Sequence, residues 1–210
     1  MIAETLQRPV DLYARPSQGL AGTKPIMEMI VRLPATMTDR HEIHSVIAQI
    51  MGAEQARDYI YGEIEDASGP PEDAADRDRT LWMIRGPRLP RGVVGTEAVL
   101  PQETGEMVDF TLRASPMIGK KPIEDVSEHG AWLERQARAN GLWLLKPIAV
   151  AAVVRTVRDD AMRSRVRTFT ESTFSGRALI TDPDLVAAAV RRGIGRNKCY
   201  GQGLLRLFRP

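Results

Sequence analysis

The chain has 210 residues, 43% of them hydrophobic and 27% charged, which suffices for one large globular domain or for two of about 100 residues. Its net charge of +2 is unevenly divided. Residues 1–105 hold 11 Lys and Arg against 16 Asp and Glu (−5), whereas residues 106–210 hold 18 against 11 (+7). We therefore expect the second half to face a polyanion. The single Cys199 excludes an internal disulfide and a cysteine-based metal site, and the lack of a membrane-length apolar run or a secretory signal predicts a cytoplasmic protein without membrane contact.

The first half of the chain is predicted to contain four strands and one helix. Residues 1–24 contain prolines and glycines without an apolar period and are predicted to form an irregular leader. Strands are predicted over 26–33, 56–65, 81–85 and 96–100, with a Pro-, Gly- and Asp-rich loop over 66–79. Thr38 or Asp39 caps the helix, which follows the first strand and closes at Gly52. A second helix between the last two strands is absent or degenerate, because the prolines and glycines of 87–95 would break it.

The second half of the chain is predicted to repeat this order with both helices present. Ser127 caps a helix that ends at Gly141, and Asp182 caps a shorter one over 182–192. Three residues of the first of these helices are expected in the core: Trp132, Leu133 and Ala137. Strands are predicted over 108–114, 143–157, 166–180 and 204–209, and a hairpin tip over 158–165 joins the two long ones. The order strand-helix-strand-strand-helix-strand is the ferredoxin-like pattern of an α+β protein.

A glycine-rich segment precedes the last predicted strand. Its glycines surround two cations and an amide: Gly193, Gly195, Arg196, Asn197, Lys198, Gly201 and Gly203. Glycine tolerates positive φ and lets a partner approach the backbone, so this loop is suited to hold a phosphate. It is not a P-loop, because Cys199 stands where Ser or Thr is required, and it is not the dinucleotide fingerprint, because Lys198 stands at the third glycine position. A plain helix-to-strand turn is the alternative interpretation.

Two histidines lie side by side in the first turn of the first predicted helix. At 100° per residue, His41 and His44 share the face opposite Ile43 and Ile47. The free N–H groups and the positive dipole of that turn attract phosphate and disfavour imidazolium, so an unpaired histidine is expected to be neutral near pH 7. A base beside an acid is what RNA cleavage by the 2′-hydroxyl requires. The alternatives are a solvated surface pair and a metal site, the latter weaker because only His129 in another helix offers a third ligand.

Basic residues of the second half provide candidate phosphate contacts. The predicted hairpin carries five arginines, whose flat guanidinium forks suit phosphates and guanine edges: Arg155, Arg158, Arg163, Arg165 and Arg167. Lys120 and Lys121 are expected to face phosphates, although a solvated turn explains them equally well. Exposed aromatic residues are scarce, since Phe169 and Phe174 are expected in the core. That scarcity disfavours a single-strand reader that stacks bases on aromatic rings.

These motifs together resemble those of the CasE family, the RNA endonuclease subunit of the subtype I-E CRISPR Cascade complex. The segment 193–205 is similar to the family's C-terminal glycine-rich loop. The segment 110–116 resembles the family's Leu-Arg-Ala-Asn/Ser-Pro segment, in which Arg113 is the implied RNA contact. His44 matches the catalytic histidine of the family's Tyr-x-x-His pair, and His41 stands at the tyrosine position. The resemblance thus includes motifs in both halves of the chain.

The resemblance implies a tandem of ferredoxin-like domains, one over residues 25–104 and one over 105–210, after the leader over 1–24. It implies an endoribonuclease that cleaves CRISPR precursor RNA at the repeat stem-loop, with His44 as the main catalyst and His41 as its acid-base partner. No metal or other cofactor takes part, because the 2′-hydroxyl itself attacks the adjacent phosphate and leaves a 2′,3′-cyclic phosphate and a 5′-hydroxyl. The protein is expected to be a monomer outside the effector complex and to stay on the mature guide RNA with the other subunits of that complex.

Two other functions stay open on the sequence alone. A subunit of the same kind of complex could bind the RNA stem-loop without cutting it. A ferredoxin-like regulatory or small-molecule domain would lack salt-dependent RNA affinity, and the basic half and the hairpin disfavour it. The substitution of His41 for tyrosine and the leader also suit a divergent relative, such as a type IV effector subunit.

Overall fold

A computed structural model describes residues 25–52, 58–65, 78–159 and 165–210, with only the backbone described over 155–159 and 165–168. Its elements, in chain order, are β1 (Met27–Pro34), α1 (Arg40–Met51), β2 (Ile60–Ile64), β3 (Arg79–Gly86), β4 (Thr96–Glu97), β5 (Met107–Ala114), β6 (Met117–Ile118), β7 (Lys121–Pro122), α2 (His129–Ala139), β8 (Leu142–Asp159), β9 (Arg165–Ile180), α3 (Pro183–Arg192) and β10 (Leu205–Phe208). Short 3₁₀ turns cover Val126–Glu128 and Lys198–Tyr200. Within the described ranges, no helix combines the length and the apolar character that crossing a membrane requires.

The first sheet has the strand order β2-β3-β1-β4, and all its pairings are antiparallel. Pro34 ends β1, and the Asp39 carboxylate then caps α1 by accepting a hydrogen bond of 2.8 Å from the backbone N–H of His41. The two-residue period of β1 and the helical period of α1 bring Leu33 and Ile43 into one core between the helix and the sheet. The helix that carries the histidines is therefore seated on the first sheet by its apolar stripe.

The second sheet has the order β10-β5-β9-β8 and packs against α2 and α3. Alternation along β5 buries Val108, Phe110 and Leu112 in the same core as Trp132 of α2 and Val186 of α3. Counted within the second half, the strands stand in the order fourth, first, third, second, which is the ferredoxin-like topology. The first sheet has the same order, although the described residues 87–95 contain no helix. The predicted tandem ferredoxin-like α+β fold is confirmed, including its missing helix.

Two local predictions differ from the structure. Ser127 does not cap α2, because the Asp125 carboxylate accepts from the N–H of Ser127 at 2.9 Å and begins a 3₁₀ turn, so that α2 begins at His129. The fourth strand pairs over only two residues, Thr96–Glu97. The short acceptor side chain of Asp125 thus competes with Ser127 for the start of the helix.

Several predicted segments lie outside the described residues. These are the leader 1–24, the first residues of the predicted strand 56–65 and most of the loop 66–79. The division into two domains between residues 104 and 105 stays a prediction. Ile26 and Ala98 of the first half belong to the core of the second sheet. The two halves therefore share apolar packing across the predicted boundary.

Buried Arg85 of β3 joins the first sheet to the second half of the chain. Its Nη1 donates to the carbonyl oxygens of Val190 at 2.9 Å and Leu205 at 2.6 Å, and its Nε donates to the Glu28 carboxylate at 2.6 Å. Burial lowers the pKa of Arg85, while the charge of Glu28 and its hydrogen bond oppose that shift. One guanidinium therefore ties together β1, the end of α3 and β10, which keeps the two sheets in a fixed relation.

Candidate active site

The first turn of α1 brings both histidines to the side of the helix that faces away from its core. His41 and His44 are half-buried, whereas Ile43 and Ile47 on the other face are almost fully buried. The face is the one that the helical period predicted. Both residues are thus less exposed than a freely solvated pair would be, and the His44 ring contacts Tyr61 of β2.

His44 is linked to the glycine-rich loop through Tyr61 of β2. Its Nδ1 lies 3.2 Å from the Tyr61 hydroxyl oxygen, and the Tyr61 hydroxyl donates to the carbonyl oxygen of Cys199. Cys199 lies in the 3₁₀ turn Lys198–Tyr200 of the glycine-rich loop. The structure thus brings together α1, β2 and the loop. Tyr61 lies in a predicted strand but was not among the predicted site residues.

Glycines let the loop pack tightly on the first sheet at this point. Gly201 has a φ of 80°, and a Cβ there would lie 2.7 Å from the Trp82 ring. A larger residue would therefore push the loop away from β3, which holds Trp82 beside Tyr61. Gly201 and Gly203 are buried, whereas Gly193 and Gly195 are half-buried. Gly201 thus serves the contact between loop and sheet, and the predicted contact of the loop glycines with a phosphate stays a prediction.

The polar residues of the loop differ in their exposure. Arg196 is exposed, Lys198 is half-buried, and the Asn197 amide lies 4.0 Å from the Met117 sulfur. Burial lowers the pKa of Lys198, and the nearby charge of Arg192 lowers it further. Arg192, the last residue of α3, is a cation beside the loop and was not among the predicted contacts.

The other predicted RNA contacts are dispersed over the second half. Lys120 and Lys121 are exposed at the small hairpin of β6 and β7. In the long hairpin, the backbones of Arg155 and Arg158 lie in β8, and those of Arg165 and Arg167 lie opposite in β9. The side chains of these four arginines and the whole of Arg163 lie outside the described residues. Their contacts with RNA stay predictions.

Two arginines and two glutamates form a cluster between the sheets. Arg40 Nη2 lies 2.9 Å from Glu63 and 3.3 Å from Glu171. Arg113 Nη1 lies 2.6 Å from Glu63, and its Nε lies 3.8 Å from Glu171. The amide of Gln202 also donates to Glu171. Arg113, which the resemblance assigns to RNA, is therefore ion-paired within the protein, and its RNA contact stays a prediction.

This cluster anchors the start of the helix that carries the histidines. Arg40 is the first residue of α1 and stacks over Trp82 at 4.8 Å from the ring centroid. The helical period indicates its position, because Arg40 precedes Ile43 by three residues and Ile47 by seven and so lies on the buried face. That spacing predicts a buried arginine, but only the tertiary structure identifies its partners.

His129 occupies a different environment from the histidine pair. It is fully buried, its Nε2 lies 2.9 Å from the carbonyl oxygen of Ile123, and its Nδ1 lies 2.7 Å from the Ser172 hydroxyl. Since a carbonyl only accepts, Nε2 carries the hydrogen and Nδ1 accepts from Ser172. Both ring nitrogens are thus used in the core of the second half. The metal-site alternative required His129 as its third ligand.

The electrostatics of the pair favour a neutral His44. Burial lowers the pKa of His44, and the positive charge that His41 can carry lowers it further. Burial raises the pKa of Tyr61 well above its usual range, with nearby Cys199 adding to the effect, so the phenol keeps its proton. The arrangement offers a neutral imidazole able to accept a proton, a second imidazole beside it, and cations in the adjoining loop.

Comparison with known proteins places this chain among proteins of CRISPR systems. The family model described as CRISPR associated protein matches residues 94–209, which is more than half of the chain. The matched region includes the second sheet and the glycine-rich loop. His41 and His44 lie outside it.

The CRISPR-associated endoribonuclease Cse3 of Thermus thermophilus is a similar curated protein, with 31% identity over 116 residues. The match covers 48% of this chain and 55% of that protein. The chain therefore spans about half the length of this curated relative.

Two solved structures share the fold over almost their whole length. Thermus thermophilus Cse3 bound to an RNA that represents a pre-cleavage complex has a TM-score of 0.69 and 21% identity, over 88% of this chain and 99% of that one. A chain of a CRISPR RNA-guided surveillance complex in a pre-nicking state has a TM-score of 0.56 and 25% identity, over 89% and 100%. The likeness to Thermus thermophilus Cse3 shows that both halves of this chain share the fold of that protein.

Proposed function

Since this chain belongs to the CRISPR associated protein family, we propose that it is an endoribonuclease that cleaves CRISPR precursor RNA at the repeat stem-loop. A similar protein is named as a CRISPR-associated endoribonuclease, and a protein of the same fold has been solved with a pre-cleavage RNA. The observation that carries the proposal is the hydrogen-bonded connection from His44 through Tyr61 to Cys199. It joins an imidazole outside the region of the family match to the glycine-rich loop inside it.

The proposed reaction uses the 2′-hydroxyl of the RNA as its nucleophile. His44 accepts the proton of that hydroxyl, because its lowered pKa keeps it neutral near pH 7. The 2′-oxygen then attacks the adjacent phosphorus in line, and the bond from phosphorus to the 5′-oxygen breaks. His41 donates a proton to the departing 5′-oxygen. The products are a 2′,3′-cyclic phosphate and a 5′-hydroxyl, and the two imidazoles supply both proton transfers without a metal.

The cations around the loop are proposed to hold the RNA backbone. Lys198 shares a 3₁₀ turn with Cys199 and Tyr200, and the Cys199 carbonyl oxygen accepts the hydrogen bond from Tyr61. The Lys198 ammonium group therefore belongs to the loop that is connected to His44 through Tyr61. Arg192 and Arg196 precede it in sequence, and the arginines of the long hairpin would contact the stem. A-form RNA is recognised mainly by its shape and backbone, which suits such dispersed contacts.

After cleavage, the protein is proposed to stay on the guide RNA as one subunit of an effector complex. A chain of the same fold has been solved within a CRISPR RNA-guided surveillance complex. A subunit that only binds RNA is the alternative function. The neutral imidazole beside a second imidazole favours cleavage, because a protein that only binds phosphates has no use for an uncharged proton acceptor.

The test is incubation of the purified chain with end-labelled hairpin RNAs in EDTA, followed by mapping of the ends. We expect one cut at the stem-loop, with a cyclic phosphate on the upstream fragment. His44→Ala should abolish the cut and retain binding. Glu134→Gln, which alters the pair that Glu134 of α2 forms with exposed Lys146 of β8, is the control and should cut normally.

Two results would overturn the proposed nuclease. One is uncut RNA that remains bound to the unaltered chain, which would select the binding function. The other is cleavage that requires a divalent ion, which would exclude the proposed pair of imidazoles as the sole catalysts.

A further inference from the structure

The hydrogen bonds around Tyr61 determine where its single hydroxyl proton lies. The Cys199 carbonyl oxygen has no hydrogen, so it can only accept, and the Tyr61 hydroxyl must donate to it. The hydroxyl oxygen then has only lone pairs to offer to the second neighbour, the Nδ1 of His44 at 3.2 Å. A hydrogen bond at that position therefore requires that Nδ1 carries the hydrogen.

We infer that Tyr61 is a positioning residue, which holds neutral His44 in the Nδ1–H tautomer so that Nε2 is the nitrogen that accepts the proton of the RNA 2′-hydroxyl. This inference rests on the proposed function, since it assigns the nitrogen that acts in the proposed reaction. A neutral imidazole has one donor and one acceptor nitrogen. Fixing the donor on Nδ1 leaves the free lone pair on Nε2.

Tyr61 itself is not the base in this arrangement. Its pKa lies far above its usual range because of burial, so the phenol does not lose its proton near neutral pH. Only 2% of its surface is exposed, which separates its hydroxyl from bulk water. Tyr61 therefore acts through His44 and has no exposed hydroxyl with which to bind RNA.

The surroundings of Tyr61 keep its hydroxyl in place. Its ring packs against Trp82 with 6.0 Å between centroids and lies within 20° of the plane of the His44 ring, 6.1 Å away. A Cβ at Gly201 would lie 3.4 Å from the Tyr61 ring and 2.7 Å from the Trp82 ring. The glycine-rich loop thus contributes the carbonyl that accepts the hydroxyl proton and also leaves room for the ring that carries it.

Tyr59 offers a matched control for the hydroxyl of Tyr61. Its ring lies 6.3 Å from the Tyr61 ring, and its hydroxyl is buried without a hydrogen-bond partner among the described residues. Tyr61→Phe and Tyr59→Phe remove the same atom from two neighbouring rings. Only Tyr61→Phe removes the acceptor of the His44 Nδ1–H.

The experiment records the ring ¹⁵N shifts of His44 by two-bond ¹⁵N–¹H correlation spectroscopy on the full chain at a pH where His44 is neutral. We expect Nδ1 to show the shift of a protonated nitrogen and Nε2 that of a nitrogen with a free lone pair. Tyr61→Phe should move both shifts toward a mixture of tautomers and slow single-turnover RNA cleavage by about tenfold. Tyr59→Phe should leave shifts and rate unchanged.

The spectrum of the unaltered chain tests the inference even if a variant fails to fold. A protonated Nε2 in that spectrum would overturn the inference, as would unchanged shifts in a folded Tyr61→Phe variant. The expected shifts in a chain that does not cut RNA would support the tautomer assignment while refuting the proposed nuclease. RNA cleavage by a chain with a protonated Nε2 would refute the tautomer assignment alone.

Discussion

Arg40 and Glu171 meet between the two sheets, with 3.3 Å between the guanidinium Nη2 and the carboxylate Oε2. Arg40 begins α1 and Glu171 lies in β9, so this ion pair ties the helix of the histidines to the sheet of the second half. Both side chains are more than nine-tenths buried. A charge in such a position is stable only while its partner is present.

We expect Glu171→Gln to lower the free energy of unfolding by about 3 kcal/mol, because the buried guanidinium of Arg40 and the partly buried one of Arg113 would then share the carboxylate of Glu63. Urea denaturation of the full chain measures the change. Asp109→Asn is the matched control, since it removes the carboxylate of an exposed pair with Arg177 at 3.0 Å, and we expect a loss of less than about 1 kcal/mol. Equal losses in the two variants would show that the buried cluster stabilises the fold no more than the exposed ion pair does.

The acid limb of the cleavage rate should lie below pH 6.5. Burial and then the charge of His41 lower the pKa of His44 from its ordinary value of 6.5. A base with a lowered pKa becomes protonated only at a lower pH, so the rate is retained on mild acidification and falls when the pH passes the lowered value. Single-turnover cleavage at constant ionic strength measures the midpoint. A midpoint above 6.5 would contradict the assignment of His44 as the base.

The positive charge that His41 can carry also predicts how a substitution of His41 should change the titration of His44. His41→Gln removes a positive charge beside His44, so the pKa of His44 should rise toward its ordinary value. An NMR titration of the His44 ring measures this shift without reliance on RNA cleavage. The two histidines would be electrostatically independent if the titration curve did not move.

Lys198→Ala should weaken RNA binding and make it less dependent on salt. If Lys198 neutralises one phosphate, its loss should reduce the slope of log affinity against log salt by about one unit. Binding to a hairpin RNA at several salt concentrations measures the slope. Lys146→Ala is the control, because Lys146 is exposed and paired with Glu134 at 2.8 Å. A slope that changes equally in both variants would exclude a specific phosphate contact by Lys198.

Local patterns in the sequence were sufficient for the elements that carry the candidate site. Asp39 caps α1 through a hydrogen bond that spans two residues, and Asp182 caps α3 through one that spans three. Each cap and each helical period depends on residues within one or two helical turns, and such residues are close together in the sequence. The sequence by itself therefore determined the two helices, the face on which His41 and His44 lie, and the ferredoxin-like order of elements.

The tertiary structure alone decided which partners these residues have. Tyr61 and Cys199 are 138 positions apart, and Arg40 and Glu171 are 131 positions apart. Such pairs form only where the packing of two sheets brings distant segments within about 3 Å, and no local spacing distinguishes Tyr61 from another tyrosine in a strand. The sequence thus predicted the pair of imidazoles, and the packing of the sheets brought a buried tyrosine and a loop carbonyl next to one of them.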